Sequence, residues 1–271
     1  MRSSPGIQWI VVVVVIVAVA GCPHQPQLPD VSTLTNDEVR ARLEHSATRR
    51  QTLEGVVKAR LPGVEGLVVN ATLDVAARAP GDLSVAVRSF FEMPQQVLAA
   101  FQGEVVLYDA TSGAPRFFRG PASERTLARV LGVPLAPDDV TALLLGRAPL
   151  EPRAPWPPPK VHLLSVDEEH GTYTVQIDRP GRGAVIVTAR AVDDALVAAE
   201  VFRGDGRKLV SCRFDQLSDR QGVAFAQRIS LVVKESGQEL ALEIQDARFN
   251  QPLPDEAFVL VPPSGAVVSP L

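Results

Sequence analysis

The sequence predicts an α+β protein that is mostly β, a single concave antiparallel sheet with one helix before it and two helices across its middle. Three observations predict this. Short runs of alternating apolar and polar residues recur along most of the chain, and a period of two marks a strand with one buried face. Glycine, proline or charged turns separate these runs at the close spacing of an antiparallel meander. Where the alternation breaks in mid-chain, two short stretches carry helix start and stop signals instead.

Composition bounds the function. With 271 residues the chain can bury a sizeable core, and 46% hydrophobic with 21% charged residues argues against global disorder. Its 27 basic and 31 acidic residues leave a net charge of −4, with no basic excess to attract nucleic acid. Four histidines and two cysteines are too few for a disulfide framework and leave little for a zinc site.

Residues 1–21 read as an export signal. Arg2 gives the positive start, Ile7 to Ala20 is apolar apart from Gln8, and the run closes on Val19-Ala20-Gly21-Cys22. That length is marginal for crossing a bilayer and typical of the apolar core of a signal peptide. The closing tetrapeptide resembles the lipobox of bacterial lipoproteins, with Val19 where leucine is more usual. The resemblance implies cleavage before Cys22 and transfer of diacylglycerol to its thiol. Each buried methylene of the acyl chains then contributes about 0.8 kcal/mol of anchoring. An uncleaved signal anchor, with Cys22 there by chance, is the other reading. Pro23 after the cysteine implies, by the sorting rule of enterobacterial lipoproteins, the outer membrane, with the protein facing the periplasm. The covalent lipid on Cys22 is the one non-protein group expected, with no cofactor and no metal.

The elements follow in order. Residues 22–34 hold Pro23, Pro26 and Pro29 and form an extended lipidated tether. Thr35-Asn36-Asp37-Glu38 is a capping box, and Val39, Leu43, Ala47 and Leu53 continue at helical spacing, so a helix spans about 36 to 52. After Gly55 the period changes. Leu67, Val69, Ala71, Leu73, Val75 and Ala77 alternate against Asn70, Thr72, Asp74 and Arg78, and a turn at Ala79-Pro80-Gly81-Asp82 leads to Leu83, Val85 and Val87. Strands follow at Val97 to Phe101, Val105 to Tyr108 and Arg116 to Arg119. Ser123 and Glu124 open a helix that Gly132 stops, and Pro137-Asp138-Asp139 opens another that Gly146 stops. Pro149 to Pro159 holds six prolines around Trp156 and is a stiff loop. Strands resume at Val161 to Val166, Thr172 to Ile177, Ala184 to Ala189, Leu196 to Phe202, Leu209 to Phe214, Ala224 to Val232 and Glu239 to Phe249. The proline-rich loop offers a domain boundary. A single sheet is the better reading, because the first half alone has few strands and its helices need a concave sheet to cover.

This order of elements resembles the LolA/LolB-like fold of bacterial lipoprotein carriers and receptors, including the DUF4292 group of outer-membrane lipoproteins. Gly103-Glu104-Val105-Val106-Leu107-Tyr108-Asp109 is similar to their strand after a glycine turn. Phe118-Arg119-Gly120 leading to Leu131-Gly132, then Leu143-Leu144-Leu145-Gly146, resembles their two mid-chain helices. Leu253 to Pro263, with Phe258 before a double proline, resembles their closing strand. The likeness covers most of residues 35–264, leaving 265–271 as a C-terminal tail. It implies a strongly curved antiparallel half-barrel with helices over its open side and an apolar hollow, which in the best-known members accepts acyl chains of lipoproteins. The Val- and Ala-rich strands depart from that pattern in having few aromatics, 5% of the chain. The lipid anchor suits a stationary, receptor-like member rather than a soluble shuttle.

Candidate sites are therefore apolar. Phosphate loops, paired-histidine metal motifs and nucleophile elbows are missing from the sequence, so no enzyme is expected. His162 and His170 flank a strand with Asp167, Glu168 and Glu169 between them, a pattern that reads as a solvated turn. Cys212 reads as a small core filler, because Arg213 beside it in a strand points to the other face. Phe90, Phe91 and Met93 end a buried strand or form an exposed wedge for lipid or a client protein. Leu127, Val130 and Leu131, with Leu143, Leu144 and Leu145, line a lid over the hollow or simply pack in the core. Trp156 plugs or gates the mouth. Two functions follow from these residues. One is uptake of membrane lipid or of acylated lipoproteins to aid their localisation. The other is an assembly partner of an envelope protein complex, built on the same scaffold with a filled core.

Overall fold

The computed structural model describes residues 33–62, 68–88, 94–111, 115–151, 157–220, 222–262, 264 and 266–271. The export signal and Cys22 lie outside the described residues, as do Phe90, Phe91, Met93 and Trp156.

Helix α1 (Asn36–Thr48) opens on the capping box: Thr35 Oγ1 accepts from the Glu38 backbone N–H at 3.3 Å, and Glu38 Oε2 accepts from the Thr35 N–H at 2.8 Å. It is shorter than the predicted 36–52. The side chain of Asn250 takes over where the helix stops, donating to the Arg49 carbonyl and accepting from the Gln51 N–H. The chain then enters a strand that the sequence reading missed, β1 (Thr52–Pro62). Leu53, Val57 and Ala59 of β1 are buried while Lys58 and Arg60 face solvent. Gly55, which reads as a break, is required by close approach instead, since a Cβ there would sit 2.1 Å from the Asp246 carbonyl oxygen.

The first meander continues with β2 (Val68–Arg78), β3 (Asp82–Arg88), β4 (Pro94–Phe101), β5 (Glu104–Asp109) and β6 (Arg116–Pro121). Two helices follow, α2 (Glu124–Leu131) and α3 (Pro137–Leu145). The second meander is β7 (Lys160–Asp167), β8 (Thr172–Arg179), β9 (Gly183–Arg190), β10 (Leu196–Phe202), β11 (Lys208–Arg220), β12 (Val223–Val233) and β13 (Glu239–Phe249). The meanders fuse where β1 pairs antiparallel with β13, Leu53 opposite Phe249 and Arg60 opposite Ala241. Among the described residues the result is one open, curved sheet of fourteen strands, in the order β14 (Val268–Pro270), β6, β5, β4, β3, β2, β1, β13, β12, β11, β10, β9, β8, β7. Backbone hydrogen bonds between β1 and β13 thus join the strands before the proline-rich loop to those after it.

The C-terminal segment differs from expectation. Asp255–Phe258 is a single 3-10 turn rather than part of a closing strand. Phe258 packs on the outer face of the sheet against Phe101, ring centroids 6.5 Å apart, with the Arg78 guanidinium 4.8 Å above its ring. The strand that joins the sheet lies in the expected tail: β14 (Val268–Pro270) runs parallel to β6.

Candidate functional site

The concave face is built by alternation. Leu73 and Val75 of β2, Leu83, Val85 and Val87 of β3, and Val57 and Leu61 of β1 point to one side. Ile229 and Leu231 of β12, with Leu240 and Leu242 of β13, continue that surface across the seam. Over it lie the end of α2, the connecting loop with Val133 and Leu135, and α3. Between roof and floor is a hollow of about 430 Å³, within the range of about 300–1,000 Å³ usual for ligand pockets.

Local signals set the roof. Ser123 caps α2 by accepting from the Thr126 N–H at 3.2 Å, and Gly132 ends the helix in the left-handed region at φ 71°. Pro137 starts α3 and places Asp138 and Asp139 in its first turn. These acids meet arginines of the second meander. Asp139 pairs with the buried Arg179, and Arg182 binds both Asp138 and Asp139, the latter at 2.9 Å. Glu124 at the start of α2 pairs in the same way with Arg203. Ion pairs thus hold the first turn of each roof helix to the β8–β9 and β10–β11 connections.

Of the residues expected at a lid, Val130, Leu131, Leu143 and Leu144 line the hollow. Leu127 and Leu145 do not. Both are buried to 1% exposure or less in the packed core. Leu127 lies a turn earlier on the α2 stripe, and Leu145 is rotated by roughly 100° from Leu144, enough to turn it away from the hollow. Sequence reading missed Val57 and Leu61, because β1 itself was unread. It also missed Val133 and Leu135, whose apolar character in a loop was the available signal. Cys212 is buried and forms part of the hollow's lining, and burial pushes its thiol pKa up to about 12. Arg213 beside it points outward with a 77% exposed side chain.

Two polar side chains, Gln96 of β4 and Gln238 after β12, complete the lining. Gln238 is exposed, so the hollow opens to solvent on its side, and its Oε1 lies close to Gly132 at the end of α2. Among the described residues, no lysine, arginine, histidine, aspartate or glutamate lines the hollow. Two histidines lie elsewhere, each exposed beside an aspartate: His170 Nδ1 is 2.9 Å from Asp167 and His162 Nε2 is 3.3 Å from Asp178.

No family model and no curated protein sequence matches the chain. Solved structures do. The chain is similar to a domain assigned to outer-membrane lipoprotein sorting from Vibrio parahaemolyticus, at 10% identity and a TM-score of 0.59, covering 80% of this chain and 94% of that one. It is similar to a LolA superfamily protein from Nitrosomonas europaea at 17% identity and a TM-score of 0.58, covering 82% and 97%. A DUF1329 family protein from Desulfovibrio piger matches at 12% identity and a TM-score of 0.58, covering 82% and 95%. At these identities the likeness is one of fold, and the fold is LolA-like.

Proposed function

On the premise of this LolA-like sheet, we propose that the protein is a lipid-anchored envelope protein whose hollow takes up an acyl chain. The chain comes from a membrane lipid or an acylated lipoprotein, and its uptake aids localisation without any covalent step. Acylated Cys22 tethers the domain to the outer membrane on the periplasmic side, within the lipoprotein group denoted DUF4292. One observation carries the reading: an open hollow of about 430 Å³ with apolar walls and no charged lining residue among those described. Each methylene moved into it from water contributes about 0.8 kcal/mol, and release follows when a bilayer offers a better solvent or partner. The sorting role of the Vibrio neighbour supports the same reading. The open hollow weighs against the filled-core assembly scaffold.

Native mass spectrometry of the lipidated protein tests this. Co-purifying lipid is expected with the wild type and lost in Val85→Phe, which fills the hollow from β3. Wild-type protein that carries no lipid and takes up no neutral apolar dye would overturn the proposal.

A further inference from the structure

We propose that the hollow selects acyl chains whose head is uncharged, joined through an ester or amide, and rejects the free fatty carboxylate. This rests on the uptake of acyl chains proposed above. Gln96 lies opposite Asp109 across the β4–β5 pair, so both side chains share the concave face. The Asp109 carboxylate accepts from the Thr111 hydroxyl at 2.6 Å, from the Thr111 N–H at 3.0 Å and from the Arg116 guanidinium at 3.0 Å. Those bonds, Thr111's first, hold its pKa below the ordinary carboxylate value against the opposing effect of burial.

The consequences are chemical. An ionised carboxylate only accepts, so the Gln96 amide can turn one N–H toward Asp109 opposite it and keep its carbonyl oxygen and second N–H for the hollow. Gln238 offers a second amide on the same lining. Neutral amides suit an ester or amide head, which needs a donor for its carbonyl and no counter-charge. A fatty carboxylate meets no cation among the described lining residues, and the residue opposite Gln96 carries another carboxylate. Entry would strip its water without replacement.

Displacement of the neutral dye Nile red from the full-length wild type tests this, with monooleoylglycerol and oleate compared at pH 9, each below its aggregation concentration. The glyceride should displace the dye at a concentration lower by roughly tenfold or more. Gln96→Lys, which sets a cation at the rim, should narrow or reverse the order, and Asp109→Asn should narrow it. An N-acylated diacylglyceryl-cysteine peptide, also neutral in its linkages, should displace like the glyceride, and the tighter of the two tells a lipoprotein source from a glycerolipid source. Oleate displacing the dye as well as the glyceride overturns the selection while leaving acyl uptake standing. No Nile red uptake at all overturns both.

Discussion

Two regions of the sheet, β8–β10 and the β1–β13 seam, put the same alternation to opposite uses. Under β8–β10, Tyr173, Val175, Ile177, Val187, Ala199 and Val201 are buried to 2% exposure or less, and the gap left between α3 and β9–β10 is about 10 Å³. Across the β1–β13 seam the same kind of surface, lined by Leu73, Val75, Val85 and Leu240, faces a hollow of about 430 Å³. The walls are equally apolar. What differs is the filler. On the packed side α1 adds Val39 and Leu43 to the core, its Arg42 lying over the Tyr173 ring, and α3 is held in by the Arg179–Asp139 pair. On the hollow side the roof is the eight-residue α2, a loop and one face of the nine-residue α3. Eight helical residues rise about 12 Å, whereas eleven-residue strands such as β1 run about 36 Å. A short roof over long strands leaves space, and apolar walls around it make that space a site for apolar ligands.

The comparison can be broken at three places. The largest effect is expected at the ion pair that holds α3. Asp139→Ala leaves Arg179 buried without its carboxylate and should cost about 3–5 kcal/mol in denaturant unfolding, while Arg179→Met with Asp139→Leu should cost much less. A small loss from Asp139→Ala would mean that α3 is not fixed on the packed side. Next come equivalent truncations in the two regions. Ile177→Ala should cost about 2–5 kcal/mol because it opens a new cavity, and Leu240→Ala less than about half of that because the cavity already exists. Equal losses would mean that the hollow is filled in solution. The smallest effect lies at α1, which feeds the packed side. Thr35→Ala should cost about 1 kcal/mol through loss of the cap. Hydrogen bonds from Thr35, its backbone N–H first, hold the Glu38 pKa below the ordinary carboxylate value. The stability that Glu38 contributes is therefore complete above that value and is lost as pH falls through the lowered one. The deficit of Glu38→Gln should close on acidification below the ordinary carboxylate range, measured by unfolding across pH.

How much was legible follows from how local each signal was. The starts of all three helices, and the glycines that stop α2 and α3, were read correctly, because capping is decided within four residues. The end of α1 was not, because Asn250 stops it from 201 residues away in sequence. Strand β1 was lost because Gly55 interrupts its pattern, and the reason for that glycine, the Asp246 carbonyl, lies on another strand. In β4, read only as a strand from Val97 to Phe101, Gln96 and Leu98 face the concave side while Phe101 meets Phe258 outside. Both faces of that strand are covered, so its periodicity could not say which lies inward. On the roof, the helical stripe marked Val130, Leu131, Leu143 and Leu144 together with Leu127 and Leu145. Only the distance between helix and sheet separated the four that line space from the two that touch atoms.

The amino-acid order by itself determined the mostly β class, the helix starts and the strands whose alternation is unbroken, since each depends on neighbours a few residues apart. Only the tertiary structure decided that β1 and β13 fuse two meanders into one sheet, and that empty volume remains under a short roof. A void is a property of surfaces brought together from distant parts of the chain, and no local run of residues encodes the space between them.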